Sequence, residues 1–283
     1  MGASKGKELM ISIVYFITTV LVQLAIGIIL GIVVAIKIGI ENAQSGNIVD
    51  GVALAEQVQQ RLVDLTTMSI FLYIIVCSII FFIVYKIKKQ SMRKEIGLNK
   101  IKSKHIVLTI MAAVGLSVFI NQLLNIIDSI VNLNEVFPNY EEIIQSIMGG
   151  SIIMTFISVV ILAPIFEEVL FRGIILRRLS RAYSITATVV IQAVLFGILH
   201  FNMLQFLYAT VLGLFLGFIV IWTDSLYAGI IIHMIFNGSS FIIDNILRAL
   251  NVNIMSTIIV LIIGMMITGF AIFSIHRSKV IVN

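Results

Sequence analysis

Apolar stretches of about twenty residues recur from one end of this chain to the other, and a run of that length spans the hydrocarbon core of a bilayer as a helix. The fold class expected is therefore all-α, a polytopic membrane protein. Composition agrees. Of 283 residues, 60% are hydrophobic and only 12% charged, and the mean hydropathy is +1.13. A soluble domain carries about a quarter charged residues, because its surface faces water. A soluble enzyme, a nucleic-acid binder, a disordered tail and a disulfide-stapled secreted domain are all excluded. The single Cys77 lies in an apolar run, so no internal disulfide can form.

Eight spans are expected, at Leu9–Ile36, Leu65–Tyr85, Ile106–Ile127, Ile147–Phe166, Ile185–His200, Met203–Trp222, Leu226–Ile243 and Ile254–Ile275. The first is too long for a signal-peptide core and no small-residue cleavage site follows it. The Met1-Gly2 start lacks the Ser or Thr that a myristoylation pattern needs at residue 6. The chain divides at the fourth span. Residues 1–145 hold three transmembrane helices and a basic loop, and residues 146–283 hold the chemistry-bearing core plus the final helix.

Positive charge orients the spans. Lys5 and Lys7 precede the first, and Lys86, Lys88, Lys89, Arg93, Lys94, Lys100, Lys102 and Lys104 follow the second. Arg177, Arg178 and Arg181 follow the fourth, and Arg277 and Lys279 the eighth. The opposite loops hold only Lys37, Arg61 and Arg248, among Glu41, Asp50, Glu56, Asp64, Glu135, Glu141, Glu142 and Asp244. Both termini are therefore expected in the cytoplasm. The basic loop Lys86–Lys104 is an orientation signal that can also lie on anionic lipid headgroups. The outer connection Gly39–Asp64 reads as a loop, partly helical over Val52–Val63. Gly27-x-x-x-Gly31 and Gly213-x-x-x-Gly217 are small-residue faces that let helices approach closely.

The informative residues are ionisable groups inside spans. A charge at bilayer depth costs at least about 2.5–3.5 kcal/mol, so it persists when paired, hydrated or functional. The first group is Phe166-Glu167-Glu168-Val169-Leu170-Phe171-Arg172. At about 1.5 Å per residue, Glu167 lies about 15 Å below the interface marked by Arg177. Glu168 and Arg172 are four apart on one helical face and can form an ion pair. Glu167 points about 100° away and lacks that partner. Pro164 removes the hydrogen bond to the Val160 carbonyl, a place for a kink and for water. The plainer alternative is a charge cluster at a helix end.

The second group ends in His200, within Phe196-Gly197-Ile198-Leu199-His200. The third is His233-Met234-Ile235-Phe236-Asn237, whose His and Asn share a face. Such an imidazole can be a general base, a metal ligand or a satisfied structural group. Counted from the span ends, His233 lies roughly 13 Å deep and His200 roughly 17–24 Å, so all three groups can meet at one level. Together they make a kit for hydrolysis. A carboxylate and an imidazole can polarise a water and move its proton. A second imidazole and an amide can donate to an oxyanion. The same Glu and His atoms, Glu167, His200 and His233, can instead hold zinc or another divalent metal.

Glu167-Glu168-x-x-x-Arg172, Phe196-x-x-x-His200 and His233-x-x-x-Asn237 resemble, in order and spacing, the three motifs of the CPBP family. These are the CAAX-protease and bacteriocin-processing intramembrane proteases, also called Abi, which include type II CAAX prenyl endopeptidases and lysostaphin-resistance-like proteins. The resemblance covers about residues 147–245. It implies an eight-helix endopeptidase with an intramembrane cavity open to the cytoplasm. By this resemblance Glu167 activates water with help from His200, His233 and Asn237 support the oxyanion or complete a metal site, and Glu168 and Arg172 form a supporting pair. Metal-assisted and glutamate-driven chemistry both stay open. Implied partners are the bilayer and a membrane-bound peptide or protein cut near the cytoplasmic face: a lipidated tail, a leader or precursor, or an anti-sigma-like regulator. Family spread and short loops point to a bacterial plasma membrane.

Other protease signatures are absent. There is no H-E-x-x-H zinc motif and no G-x-G-D pair, and Gly238-Ser239-Ser240 lacks the G-x-S-G pattern. Asn237-Gly238-Ser239 matches a glycosylation sequon, but its depth makes modification implausible. A non-catalytic scaffold or immunity-type partner is the second reading. A proton-coupled transporter using Glu167 and Glu168 is the third, and it lacks a symmetric repeat or a second broken helix.

Overall fold

A computed structural model describes residues 4–46, 50–137, 151–249 and 253–279, with the side chains of 63, 64 and 240–249 left aside. The described residues form helices joined by short connections. In chain order these are α1 (Lys5–Gln44), α2 (Gly51–Ile87), α3 (Met92–Glu95), α4 (Ser103–Val131), α5 (Leu133–Val136), α6 (Ile152–Leu179), α7 (Ile185–Ile198), α8 (Met203–Thr223), α9 (Leu226–Ala249) and α10 (Ile254–Arg277). Six helices are long and apolar enough to cross a membrane, and Ile185–Ile198 and Leu226–Ser239 are shorter apolar ones. Each of the eight expected spans falls on one of these helices in an all-α membrane fold, but the fourth does not end at Phe166: it runs on to Leu179 and carries Glu167, Glu168 and Arg172 within it. Glu141, Glu142 and the expected start of the fourth span at Ile147 lie outside the described residues, as do the side chains of Asp64, Asp244 and Arg248.

Polar residues at the connections start the helices. Asp50 accepts from the N–H groups of Val52 and Ala53, Ser184 from Ala187, Asn202 from Gln205 and Asn253 from Ser256. Each satisfies a donor that the first helical turn leaves open. The expected outer loop at 39–64 is mostly helix instead. α1 continues to Gln44 and α2 begins at Gly51, so both helices run past their apolar stretches. The charges that mark a membrane edge do not end a helix, and Lys37 and Glu41, 4.0 Å apart, share one face of α1.

The basic connections gather at one end of the bundle. Arg178 pairs with Glu8 at 3.3 Å, both nearly buried, and Arg177 pairs with Asp224 at 2.9 Å. Arg181 pairs with Glu95, the Tyr183 hydroxyl donates to Lys5 O, and His105 meets Ser278 at 3.0 Å. The chain between α2 and α4 is docked there. Leu226 N–H donates to Gly97 O, Ser225 Oγ donates to Asn99 O, and Asn99 Nδ2 donates to Asp224. Gly97 has φ +70°, and a Cβ there would fall on the Arg177 guanidinium, so glycine is required twice over.

α6 runs through the middle of the bundle against α1, α2, α7, α8 and α9, and Leu170 to Leu176 are almost wholly buried. Small residues bring its neighbours close. A Cβ at Gly213 would lie 2.9 Å from Ala193 Cα, and one at Gly217 2.7 Å from Gln192 Nε2, so this expected small-residue face joins α8 to α7. The other expected face does not act in this way: nothing lies within 4 Å of a Cβ at Gly27, and Gly31 touches only Leu62 at 4.0 Å. An unexpected pair takes its place. Gly115 of α4 and Gly264 of α10 each bring a carbonyl 2.9 Å from where the other's Cβ would be.

Candidate active site

α6 is not one regular helix. Phe156–Leu162 and Val169–Leu176 are π-helical, and the α-helical stretch Ala163–Glu168 between them carries the two carboxylates. Such wide turns are rare and gather at functional sites. Ala163 N–H donates to Ser158 O, which sets the five-residue register of the first wide stretch. The next donor in that register is residue 164, a proline with no N–H, and its acceptor is the Val159 carbonyl. Asn237 of α9 fills the vacancy, its Nδ2 donating to Val159 O at 2.9 Å. Sequence reasoning assumed α register and placed the open carbonyl at Val160. The π turn moves it back by one residue.

Glu168 is fully buried. Its Oε1 accepts from Arg172 Nη1 at 2.7 Å and from His233 Nδ1 at 2.9 Å. The expected ion pair therefore exists, with an imidazole added across the helix interface. Oε2 has no hydrogen-bond partner among the described residues. It faces Gly229, where a Cβ would collide with it. Arg172, also fully buried, donates to Gly213 O at 3.3 Å, an oxygen that Gln192 Nε2 shares at 2.8 Å. One buried charge on each side and several directed bonds meet the condition under which ions survive at this depth.

Glu167 is 8% exposed and faces into the protein rather than toward lipid. As the spacing predicts, it does not share the Arg172 partner of Glu168. His233 Nε2 lies 3.6 Å from Glu167 Oε2, beyond hydrogen-bond length, so the ring stands beside Glu167 without binding it. His233 thus sits between both carboxylates, a relationship that only tertiary packing creates.

His200 follows the end of α7 and is partly buried. Its Nδ1 is 3.0 Å from Phe196 O. A carbonyl can only accept, so this nitrogen carries the proton and Nε2 keeps its lone pair. His200 lies within electrostatic reach of both Glu167 and His233. Phe196 is the hub. Its ring centroid is 5.1 Å from that of His200, 5.5 Å from that of His233, and 4.5 Å from the Arg172 guanidinium carbon. The edge-on rings and the stacked cation hold three polar side chains to one apolar pivot.

The fold thus brings Glu167, Glu168, Arg172, His200 and His233 together, with Asn237 bound to the wide turn behind the carboxylates. Sequence reasoning missed Gly229, Gln192 and the pivot role of Phe196, and also Tyr73 of α2, buried within electrostatic reach of Glu167. A glycine, an amide and two aromatics in apolar spans carry no signal of their own. Among the described residues, no three His, Cys, Asp or Glu side chains are grouped closely enough to hold a metal ion, so Glu167, His200 and His233 do not form a ready ligand set.

Residues 149–239 match the family described as Type II CAAX prenyl endopeptidase Rce1-like, a segment that contains all seven residues named in the three motifs. No curated protein and no solved structure matches the chain.

Proposed function

We propose that this chain is an intramembrane protease of the CPBP type, as the match of residues 149–239 supports, and that it hydrolyses peptide bonds of membrane-associated substrates near the cytoplasmic face. The observation that carries the proposal is His233, which binds one buried carboxylate and stands beside a second. Glu167 is the base. It takes a proton from a water whose oxygen adds to the scissile carbonyl carbon, and the proton then passes to the departing amine as the C–N bond breaks. His200, anchored through Nδ1, accepts the second hydrogen of that water at Nε2 and aims its lone pair. Glu168 and Arg172 balance charge in a site where water is scarce. The hydrogen bonds of His233 to Glu168 and of Asn237 to Val159 favour positioning roles for both, in place of the oxyanion support that the resemblance assigns.

The end of the bundle that carries Lys5, Arg177, Arg178, Arg181 and Lys279 is the cytoplasmic one by the positive-inside rule, which puts both termini there in a bacterial plasma membrane. Substrates are tails or leaders anchored in the same membrane, prenylated C-termini among them.

The test is hydrolysis of membrane-anchored peptides by protein reconstituted in liposomes. Glu167→Ala and, separately, His200→Ala should each lower the rate at least about a hundredfold at near-normal membrane levels. Full activity in both variants, at normal levels, ends the enzyme reading and favours a scaffold or immunity-type partner.

A further inference from the structure

A groove of about 180 Å³ lies between α1 and α2, away from the carboxylates. Its walls are Ile11, Val14, Ile80, Phe81 and Val84, spaced along one face of each helix. Val14 is 56% exposed, and its neighbours Ile13 and Ile17 are exposed too, which puts the groove on the flank that meets lipid. At the far end Thr18 turns its hydroxyl back to Val14 O at 2.8 Å, so the polar groups without such a bond lie at the other end. Lys88 is exposed, its Nζ 5.9 Å from the Tyr15 ring centroid, and it has no acidic partner among the described residues. Tyr15 is 5% exposed and its hydroxyl finds no acceptor there. Arg178 stands 5.8 Å from the same ring, but a guanidinium can only donate, and its charge is balanced by Glu8.

An apolar slot closed at the basic end of the bundle by an unpaired ammonium and an unsatisfied O–H donor has the polarity of an amphiphile with an acidic head. We infer that this groove is a specific site for an anionic phospholipid. One acyl chain lies along the walls, and phosphate oxygens accept from Lys88 Nζ and the Tyr15 hydroxyl. The phosphate supplies both missing partners, a counter-charge and an acceptor, while a neutral chain alone supplies neither. The site is independent of the proposed hydrolysis and joins α1 to α2.

The experiment is native mass spectrometry of the full chain in detergent, titrated with phosphatidylglycerol or phosphatidylcholine. Phosphatidylglycerol should be retained at least about tenfold more tightly. Tyr15→Phe and Lys88→Gln should each weaken it about tenfold, and Lys86→Gln, an exposed lysine of α2 outside the groove, less than twofold. Lys88→Arg, which keeps the charge, should retain the lipid. Phosphatidylglycerol should also raise the melting temperature of the native chain and not that of Lys88→Gln, which separates lost binding from lost folding. Equal retention of the two lipids, equal weakening by all three neutralising or hydroxyl-removing variants, or full displacement by inorganic phosphate would each overturn the assignment.

Discussion

His233 of α9 reaches Glu168 of α6 through Nδ1 at 2.9 Å, on the same carboxylate oxygen that Arg172 holds at 2.7 Å. Two donors from different helices thus converge on one buried acceptor, while the imidazole's other nitrogen faces Glu167. His233→Ala removes one donor but leaves Glu168 its counter-charge. A hydrogen bond to a charged group contributes about 1.5–3 kcal/mol. The variant should therefore remain folded, with a lowered melting temperature and hydrolysis reduced about a hundredfold or more. Normal hydrolysis would remove His233 from the site.

Arg172→Ala should be worse for the fold. It leaves Glu168 buried and unbalanced, a change that costs about 3–5 kcal/mol. Expression and melting temperature should fall below those of His233→Ala, and Glu168→Gln placed in the same chain should recover part of the loss, because an amide needs no counter-ion. A melting temperature equal to that of the native chain would show that this pair does not hold α6.

Gly229→Ala tests how tightly Glu168 is enclosed. The new methyl would collide with Oε2 and lie 2.9 Å from Val220 Cγ2. Overpacking of this kind costs about 1–3 kcal/mol, and here the atom displaced belongs to the site. Activity should drop more steeply than stability. Gly269→Ala is the control: nothing lies within 4 Å of its Cβ, so it should keep full activity and gain slightly in helix stability.

Asn237 takes the carbonyl that Pro164, which has no N–H, leaves open. Asn237→Ala leaves Val159 O without the donor it has at 2.9 Å, at a cost of about 0.6–1.7 kcal/mol for a side-chain bond between membrane helices. Pro164→Ala in the same chain restores an N–H and should recover part of that stability. Thermal melting of the two single variants and the double variant measures the coupling. Strict additivity would break the link drawn between the missing N–H and the amide.

Removal of metal is the remaining test of mechanism. The described residues offer no group of three ligands, so hydrolysis by washed protein should survive a strong chelator. A loss that zinc alone restores would return Glu167, His200 and His233 to the role of ligands.

Much of this architecture was legible because it is local. Long apolar runs marked every span, and the four-residue spacing of Glu168 and Arg172 carried their pairing. Pro164 marked the right turn of α6 but the wrong carbonyl, since the change from α to π register comes from packing that no residue type announces. The contact of His233 with Glu167 joins positions far apart in the chain, and spacing could supply a common depth but not a direction. Lys37 marked an expected membrane edge, yet α1 runs on to Gln44 because nothing there breaks a helix.

The wide turns of α6 store a residue that the helix can lose. A π stretch holds one residue more than the α-helical path beside it. Deleting one residue between Phe156 and Ser158 would let the stretch tighten to α register, and Glu167 and Glu168 would keep nearly their present direction toward His233. The carbonyl left open by Pro164 would instead move from Val159 to Val160, away from the Asn237 amide. A homologue one codon shorter here would insert normally and keep its carboxylates aimed, but lose the tie between α6 and α9.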